Sequence, residues 1–447
     1  MNVLIFVRRR MSKDRIVVSK TILGNENEYF VVSDERDFFD RKVHIHWYGT
    51  FFYNASADNV NIDVSWDDII LRCRYLREIE KNKAKFLICR SIEAWRNLLE
   101  HFRISTVISL PIDCYTLHCL HIVCRERSIK FVGLVGTFFS NRIRVSDFGE
   151  LKVPNLRVEV DSKAIDEFIQ KVKNTNFRPS WLIGTDRSIT KTILIRFVVD
   201  FFKPLFFSIY RIISQDPLSF SFPPRRLSKK RMFSTLDRMR ASLYMEKRSI
   251  SDIMPGYIFI PLQFYPEATS DYWIEDIKMV NHHKMVLSIV NALPENQFII
   301  KEHPAAVGRR DENFLKELFT YSNVRFVSTL APLNTLIEKA SVIIGNASTS
   351  TLNAIIIEKP VIFFSKPYFP IPYANYFDNM DLEHIRAKFY KFKSLIYTAK
   401  EVRDILMEIW RATCEGSLGN YTPIGEKNRA TEVMINDNTR AYINSFI

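Results

Sequence analysis

The sequence predicts an α/β protein built from two Rossmann-like domains, each with a parallel sheet, facing a cleft. Three observations carry this. Short apolar runs recur at Tyr257 to Leu262, Gln297 to Ile300, Val324 to Val327, Ser341 to Ile344 and Val361 to Phe364. Between them lie segments of helical spacing, at Trp273 to Ala292, Glu312 to Tyr321, Leu333 to Ala340 and Thr349 to Glu358. Strands alternating with helices in this way imply βαβ units and a parallel sheet covered on both faces. The third observation is length, because 447 residues exceed what one ordinary core holds.

Each element has a local reason. Pro332 suits the first turn of the third helix, and Glu358-Lys359-Pro360 stops the fourth before the last strand. The N-terminal part repeats the scheme. Its strands are expected at Val3 to Val7, Tyr29 to Val32, Val43 to Trp47, Phe86 to Cys89, Thr106 to Leu110 and Lys130 to Leu134. Its helices are expected near Trp66 to Lys81, Ile92 to Phe102, Cys114 to Arg127 and Ser162 to Lys173. The expected division is a first Rossmann-like domain over 1–180, a linker over 181–250, a second Rossmann-like domain over 251–398, and helices over 399–447 that pack back on the cleft.

Hydrophobic residues make up 47% and charged residues 25%, the balance of a globular chain. The net charge of +13 calls for an acidic partner: nucleic acid, an anionic membrane or a phosphorylated ligand. The basic residues are spread widely, and no RRM, KH, helix-turn-helix or zinc-finger pattern occurs, so nucleic acid is not expected. Cys114, Cys119 and Cys124 recur every five residues, which fits neither zinc spacing nor a disulfide framework; buried thiols in a reducing compartment fit better. The apolar start followed by Arg8-Arg9-Arg10 inverts the order of a signal peptide, and no run of eighteen apolar residues occurs. A cytoplasmic protein is expected. Within the linker, an apolar stretch from Ile193 to Tyr210 precedes Arg225, Arg226, Lys229, Lys230 and Arg231. That order fits a peripheral anchor at an anionic membrane surface, and equally a buried helix followed by a solvated basic linker.

Two polar clusters close strands of the second domain. Lys301-Glu302-His303-Pro304 follows Phe298 to Ile300, and Asn346-Ala347-Ser348-Thr349-Ser350-Thr351 follows Val342 to Ile344. Ligands of open α/β sheets bind outside the carboxyl ends of the strands. His303 can donate to a phosphate there and Pro304 fixes the loop, while Lys301 adds positive field. Asn346, Ser348, Thr349 and Ser350 open a helix whose N-terminus suits an anion. Gln263 and Glu267 stand at the rim, Glu267 with a carboxylate suited to a sugar hydroxyl or else only to the loop. No GxGxxG or GxxxxGK[ST] occurs, which argues against a dinucleotide oxidoreductase and a P-loop NTPase. No paired acidic motif or ligand cluster calls for a metal, and no cofactor is expected. His44 and His46 share a strand face without a third ligand.

The first domain should hold the acceptor and a catalytic base. Asp113, after Val107 to Pro111, is the leading candidate for the base, followed by Asp34 and Glu35. Arg8, Arg9 and Arg10 follow the first strand and suit an acidic acceptor. As alternatives, the carboxylates are ordinary caps and the arginines exposed charge.

Ile258-Phe259-Ile260-Pro261-Leu262-Gln263, Pro266-Glu267-Ala268-Thr269, Lys301 to Pro304 and Ile343 to Pro360 together resemble the bacterial capsule polysaccharide biosynthesis family. More distantly, the His-Pro and serine pairing is similar to that of bacterial sialyl- and polysialyltransferases. The resemblance implies a GT-B fold and a metal-independent glycosyltransferase, Kdo-transferase-like. Its nucleotide-sugar donor would be CMP-linked, and its acceptor a surface polysaccharide or glycolipid. It puts His303 on the donor phosphate with Ser348, Thr349 and Ser350 around it. The chain departs from the family where a Gly-x-Glu-Ala type sequence is usual: it has Thr351-Leu352-Asn353-Ala354, without the carboxylate. A nucleotide-sugar epimerase, or a transferase of a polyol phosphate from a CDP-linked donor, is the alternative on the same fold.

Overall fold

The computed structural model describes all residues except 9–11, 36–43, 58–59, 140, 157, 175–188, 215–228, 249–251, 266 and 419–434. Arg9 and Arg10 lie outside the described residues. The chain divides into two compact units: Met1–Glu159 with Leu205–Leu227 and Trp410–Ile447, and Val160–Pro204 with Ser228–Ile409.

In the first unit, strands β1 (Asn2–Val7), β2 (Glu28–Ser33), β3 (His46–Trp47), β4 (Thr106–Ser109) and β5 (Lys130–Gly136) are parallel. Strand β6 (Arg142–Ser146) turns antiparallel to β5, and β12 (Cys414–Glu415) adds antiparallel to β6. The sheet order is β12-β6-β5-β4-β1-β2-β3. Its helices are α1 (Ser12–Leu23), α2 (Tyr48–Asn54), α3 (Trp66–Arg72), α4 (Lys81–His101), α5 (Tyr115–Glu126) and the C-terminal α16 (Asp437–Asn444).

The second unit contains α6 (Ser162–Asn174), α8 (Lys229–Lys247) and the first part of α7 (Ile189–Ser214). Its parallel strands are β7 (Ile258–Pro261), β8 (Phe298–Lys301), β9 (Val324–Val327), β10 (Val342–Gly345) and β11 (Val361–Phe363), in the order β11-β10-β7-β8-β9. Between and after them run α9 (Ala268–Asp271), α10 (His282–Ala292), α11 (Glu312–Leu318), α12 (Leu333–Lys339), α13 (Thr349–Ile356), α14 (Leu382–Phe392) and α15 (Ala399–Arg411). Ile258, Ile260, Phe298, Ile300, Val342 and Ile344 join one hydrophobic cluster, while Phe259, Ile299 and Ile343 on the alternate face are buried too. A sheet covered on both faces explains why these strands read as unbroken apolar runs. Each such side chain contributes about 1.5–3 kcal/mol through burial.

The α/β class and the two Rossmann-like sheets of the GT-B outline are as the sequence predicts. Counted within its own unit, each sheet contains the order 3-2-1-4-5. The order therefore reverses between β1 and β4 in the first unit and between β7 and β10 in the second. Such switch points open a crevice at the carboxyl ends of the strands.

Some expectations are corrected. Phe86 to Cys89 is not a strand but part of α4, because Ala84, Leu87, Ile88, Ser91, Ile92, Trp95, Leu98 and Leu99 form one buried helical stripe. The run Trp66 to Lys81 breaks after Arg72 into a short 3₁₀ turn at Leu76–Glu78. Regular helix in the run Trp273 to Ala292 begins only at His282, where Asn281 caps it. The antiparallel β6 carries no expectation from the sequence. The stretch from Ile193 to Tyr210 is helical, as expected.

Candidate functional site

The switch point of the second unit gathers three loops. The loop after β7 carries Gln263, whose Nε2 donates to Ser348 Oγ at 3.3 Å. Ser348 stands at the N-cap of α13, where its backbone N–H donates to Thr351 Oγ1 at 3.0 Å. Thr351 Oγ1 in turn donates to the Asn346 carbonyl at 2.7 Å. The cap thus consumes Thr351 and the Asn346 backbone. The side chains of Asn346, Thr349 and Ser350 have no hydrogen-bond partner among the described residues. The eight-residue α13 adds its own free N–H groups at this end. Gly345 lets the turn close, since a Cβ there would lie 3.1 Å from Thr351 Cγ2.

The third loop follows β8. Beneath His303 lies an ion pair buried to 0% and 1% side-chain exposure, Arg310 with Glu302. Arg310 Nε donates to Glu302 Oε2 at 2.9 Å, and its Nη2 donates to the Gln263 carbonyl at 2.6 Å. Glu302 Oε1 accepts the His303 backbone N–H at 2.6 Å. One guanidinium therefore fastens the β7 loop to the β8 loop, and Gln263 fastens the β7 loop to α13. A paired charge with this many hydrogen bonds is tolerated in a core where a lone one is not.

His303 itself is half-buried. Its Nδ1 accepts the Ala305 N–H at 3.1 Å, which leaves the proton on Nε2 as a donor. Burial, with help from Arg310, Lys301 and Arg196, drives the imidazole pKa down to about 3. At neutral pH His303 is an uncharged donor, so it acts on an anion by hydrogen bonding rather than by full charge. The loop then turns through Gly308, at φ 76°, in the left-handed region that favours glycine.

The remaining expected residues are accounted for locally. Lys301 is 8% exposed and donates to the Thr329 carbonyl at 2.6 Å. Glu267 caps the short α9 and accepts from Thr269 Oγ1 at 3.0 Å. Asn353 lies one turn into α13, fully buried, and neither of its amide atoms has a partner among the described residues. Sequence reasoning missed Glu302, Arg310 and Arg196 as supports of this loop. The signal available was a glutamate at the end of a buried strand, which demands a cation nearby.

The switch point of the first unit is differently furnished. Arg8, past β1, donates from Nη1 to both Asp113 oxygens at 2.9 and 2.8 Å. Its Nη2 donates to Asp34 Oδ2 at 2.9 Å and to Cys114 Sγ at 2.9 Å. Arg74 donates to the Asp113 carbonyl at 3.0 Å. Burial pushes the Asp113 carboxyl up, but Arg8 and Arg74 outweigh it and hold the pKa below the ordinary value. Burial wins at the fully buried Asp34, whose pKa is raised against the pull of Arg8. Cys114 is pushed up to about 12, mainly by burial, so its thiol is inert. The expected residues Arg8, Asp34 and Asp113 do come together at this switch point, as partners of one another. Two carboxylates already pair with Arg8, so an acidic acceptor would compete with them for its guanidinium. Asp113 is correspondingly weakened as a base. His44 and His46 stack edge to face at 4.5 Å, and no metal-holding group of His, Cys, Asp or Glu occurs among the described residues.

Residues 225–382 match the family model described as capsule polysaccharide biosynthesis protein. Over these residues the chain is similar to that family. The match spans all three loops of the second switch point, so it covers the residues from which the resemblance is read. Among solved structures, the β-Kdo 2,7 transferase KpsC of Thermosulfurimonas dismutans is 13% identical at TM-score 0.31, covering 70% of this chain and 88% of its own. The UDP-GlcNAc 2-epimerase of Methanocaldococcus jannaschii, in complex with UDP-GlcNAc and UDP, is 10% identical at TM-score 0.30, covering 91% and 98%. That of Neisseria meningitidis, bound to UDP-GlcNAc, is 13% identical at TM-score 0.28, covering 91% and 99%. Likeness this distant says nothing of this chain's activity. No curated protein matches.

Proposed function

We propose that the protein is a metal-independent glycosyltransferase that moves a sugar from a CMP-linked donor onto a surface or capsular polysaccharide, or its lipid-linked precursor. The observation that carries this is the lacing of three loops at one switch point around an uncharged His303 donor and the N-terminus of α13. The donor phosphate would accept from His303 Nε2, from the first N–H groups of α13 and from the hydroxyls of Ser348, Thr349 and Ser350. As the glycosidic bond to the phosphate breaks, negative charge grows on the leaving nucleotide. Donors held in place beforehand stabilise that charge without reorganising, and loss of one such donor typically costs about 10²–10³ in rate.

Metal independence is proposed from the chemistry of the donors. The nearby carboxylates are engaged, Glu302 by Arg310 and Glu267 in its helix cap, so neutral and helix-terminal donors remain to meet the phosphate. The first unit is the acceptor side of this reading, and cytoplasmic donor supply fits it.

Thermal shift against CMP, CDP, UDP and GDP tests the reading, with wild type and His303→Ala side by side. A ligand that binds only the folded state raises Tm by mass action. Stabilisation by CMP that is lost in the variant and persists in EDTA is expected. Stabilisation by UDP or GDP alone would replace the donor, and consumption of donor without acceptor would turn the assignment to an epimerase. No shift with any nucleotide would remove the reading.

A further inference from the structure

Among its described side chains, helix α7 turns Arg196 and Asp200 toward the protein and a row of apolar residues toward solvent. Arg196 Nη1 donates to the carbonyls of Pro304 at 3.0 Å and Val307 at 2.7 Å. Asp200 accepts from Arg309 Nε at 2.9 Å, and Ile193 is fully buried. Ile195, Val198, Phe202, Leu205 and Ile209 are instead 43–60% exposed. Their spacing of three and four keeps them on one side of the helix, at roughly 100° per residue, away from Arg196 and Asp200. A single exposed aliphatic side chain is ordinary, but a continuous stripe of large ones marks an interaction surface.

The charge around the stripe selects its occupant. Along α7 the sequence has Lys191, Arg196, Lys203 and Arg211 against Asp200, within a chain of net charge +13. Two copies meeting here would oppose like charge, whereas an anionic lipid surface attracts it. No helix of the described residues is long and apolar enough to cross a membrane. We propose that the outer face of α7 lies in the headgroup region of an anionic bilayer, with the basic excess adding electrostatic attraction. This docking surface stands apart from the nucleotide reading and survives its failure.

The test is cosedimentation of the full chain with phosphatidylcholine vesicles, with and without phosphatidylglycerol. Binding is expected only with the anionic lipid, weakening as salt is added. The double variant Val198→Glu with Phe202→Glu should lose at least about tenfold in partitioning, with Tm and sedimentation velocity unchanged. Absence of binding to the anionic vesicles overturns the proposal, as does equal binding by the variant. A wild type that ignores vesicles and forms dimers which the variant breaks assigns the face to a second copy, and likewise overturns it. Nucleotide thermal shifts on the same two proteins report on the donor pocket independently.

Discussion

The two units contain the same 3-2-1-4-5 strand order and place their polar groups at the same topological position, yet they furnish it with opposite chemistry. At β1 and β4, Arg8 is saturated by Asp34, Asp113 and Cys114, a cluster closed on itself. At β7 and β10 a buried ion pair, Glu302 with Arg310, sits below the loops, and above it stand the amide of Gln263, the hydroxyl of Ser348 and the neutral imidazole of His303. The comparison teaches that a sheet order sets where polar groups gather, while pairing decides whether any remain for a ligand. Charge placed under a loop organises it; charge placed in the crevice and cancelled there closes it.

The largest expected effect breaks the second unit's support. Arg310→Met leaves the Glu302 carboxylate buried without a partner, and should cost roughly 3–5 kcal/mol in urea unfolding. It should also release the Gln263 and His303 loops, so any nucleotide shift should vanish with it. Arg8→Met should cost somewhat less, about 3 kcal/mol, because the side chains of Arg8 and Asp113 are 19% and 30% exposed. Adding Asp34→Asn and Asp113→Asn to Arg8→Met should restore most of that loss by the same measurement. If the triple variant is no more stable than the single one, the cluster is more than a closed set of charges.

A pH series sharpens the contrast. The His303 pKa falls from the ordinary 6.5 to about 3 on folding, so the unfolded chain binds the proton more readily. The contribution of His303 to stability should therefore be flat above about pH 6.5 and fall on acidification toward pH 3, by about 2 kcal/mol from pH 7 to pH 5. His303→Gln should remove that share of the slope in urea titrations, leaving the part due to the buried His118, His121 and His282, whose pKa values burial also lowers. The smallest effect is expected from Ser348→Ala, about 1 kcal/mol of stability for a lost helix cap. Its nucleotide shift should weaken by more than its Tm changes.

Much of the second unit was legible because buried parallel strands leave unbroken apolar runs, and what interrupts them is informative. His303, Ser348 and Gln263 all stand at such interruptions, and the three loops do meet. The first unit was harder. Phe86 to Cys89 looks like a strand in isolation and resolves only when the buried stripe from Ala84 to Leu99 is read at helical period. Pairing was not legible at all. Arg8 and Asp113 are 105 residues apart, and nothing local tells that one cancels the other. Glu302 and Arg310 are close in sequence, yet their contact depends on how the loop turns through Gly308.

The units also interleave along the chain. Trp410–Ile447 belongs to the first unit, where β12 extends the sheet beside β6 and Tyr442 donates to the Ala412 carbonyl at 2.7 Å. During synthesis, then, the unit that is begun first is finished last. The nascent first sheet must wait with its β6 edge open while all of 228–409 is made. Exposed strand edges are places where chains pair wrongly. The stage of greatest hazard for this sheet thus falls after residues 228–409 have left the ribosome and before β12 pairs with β6 and α16 packs on α1.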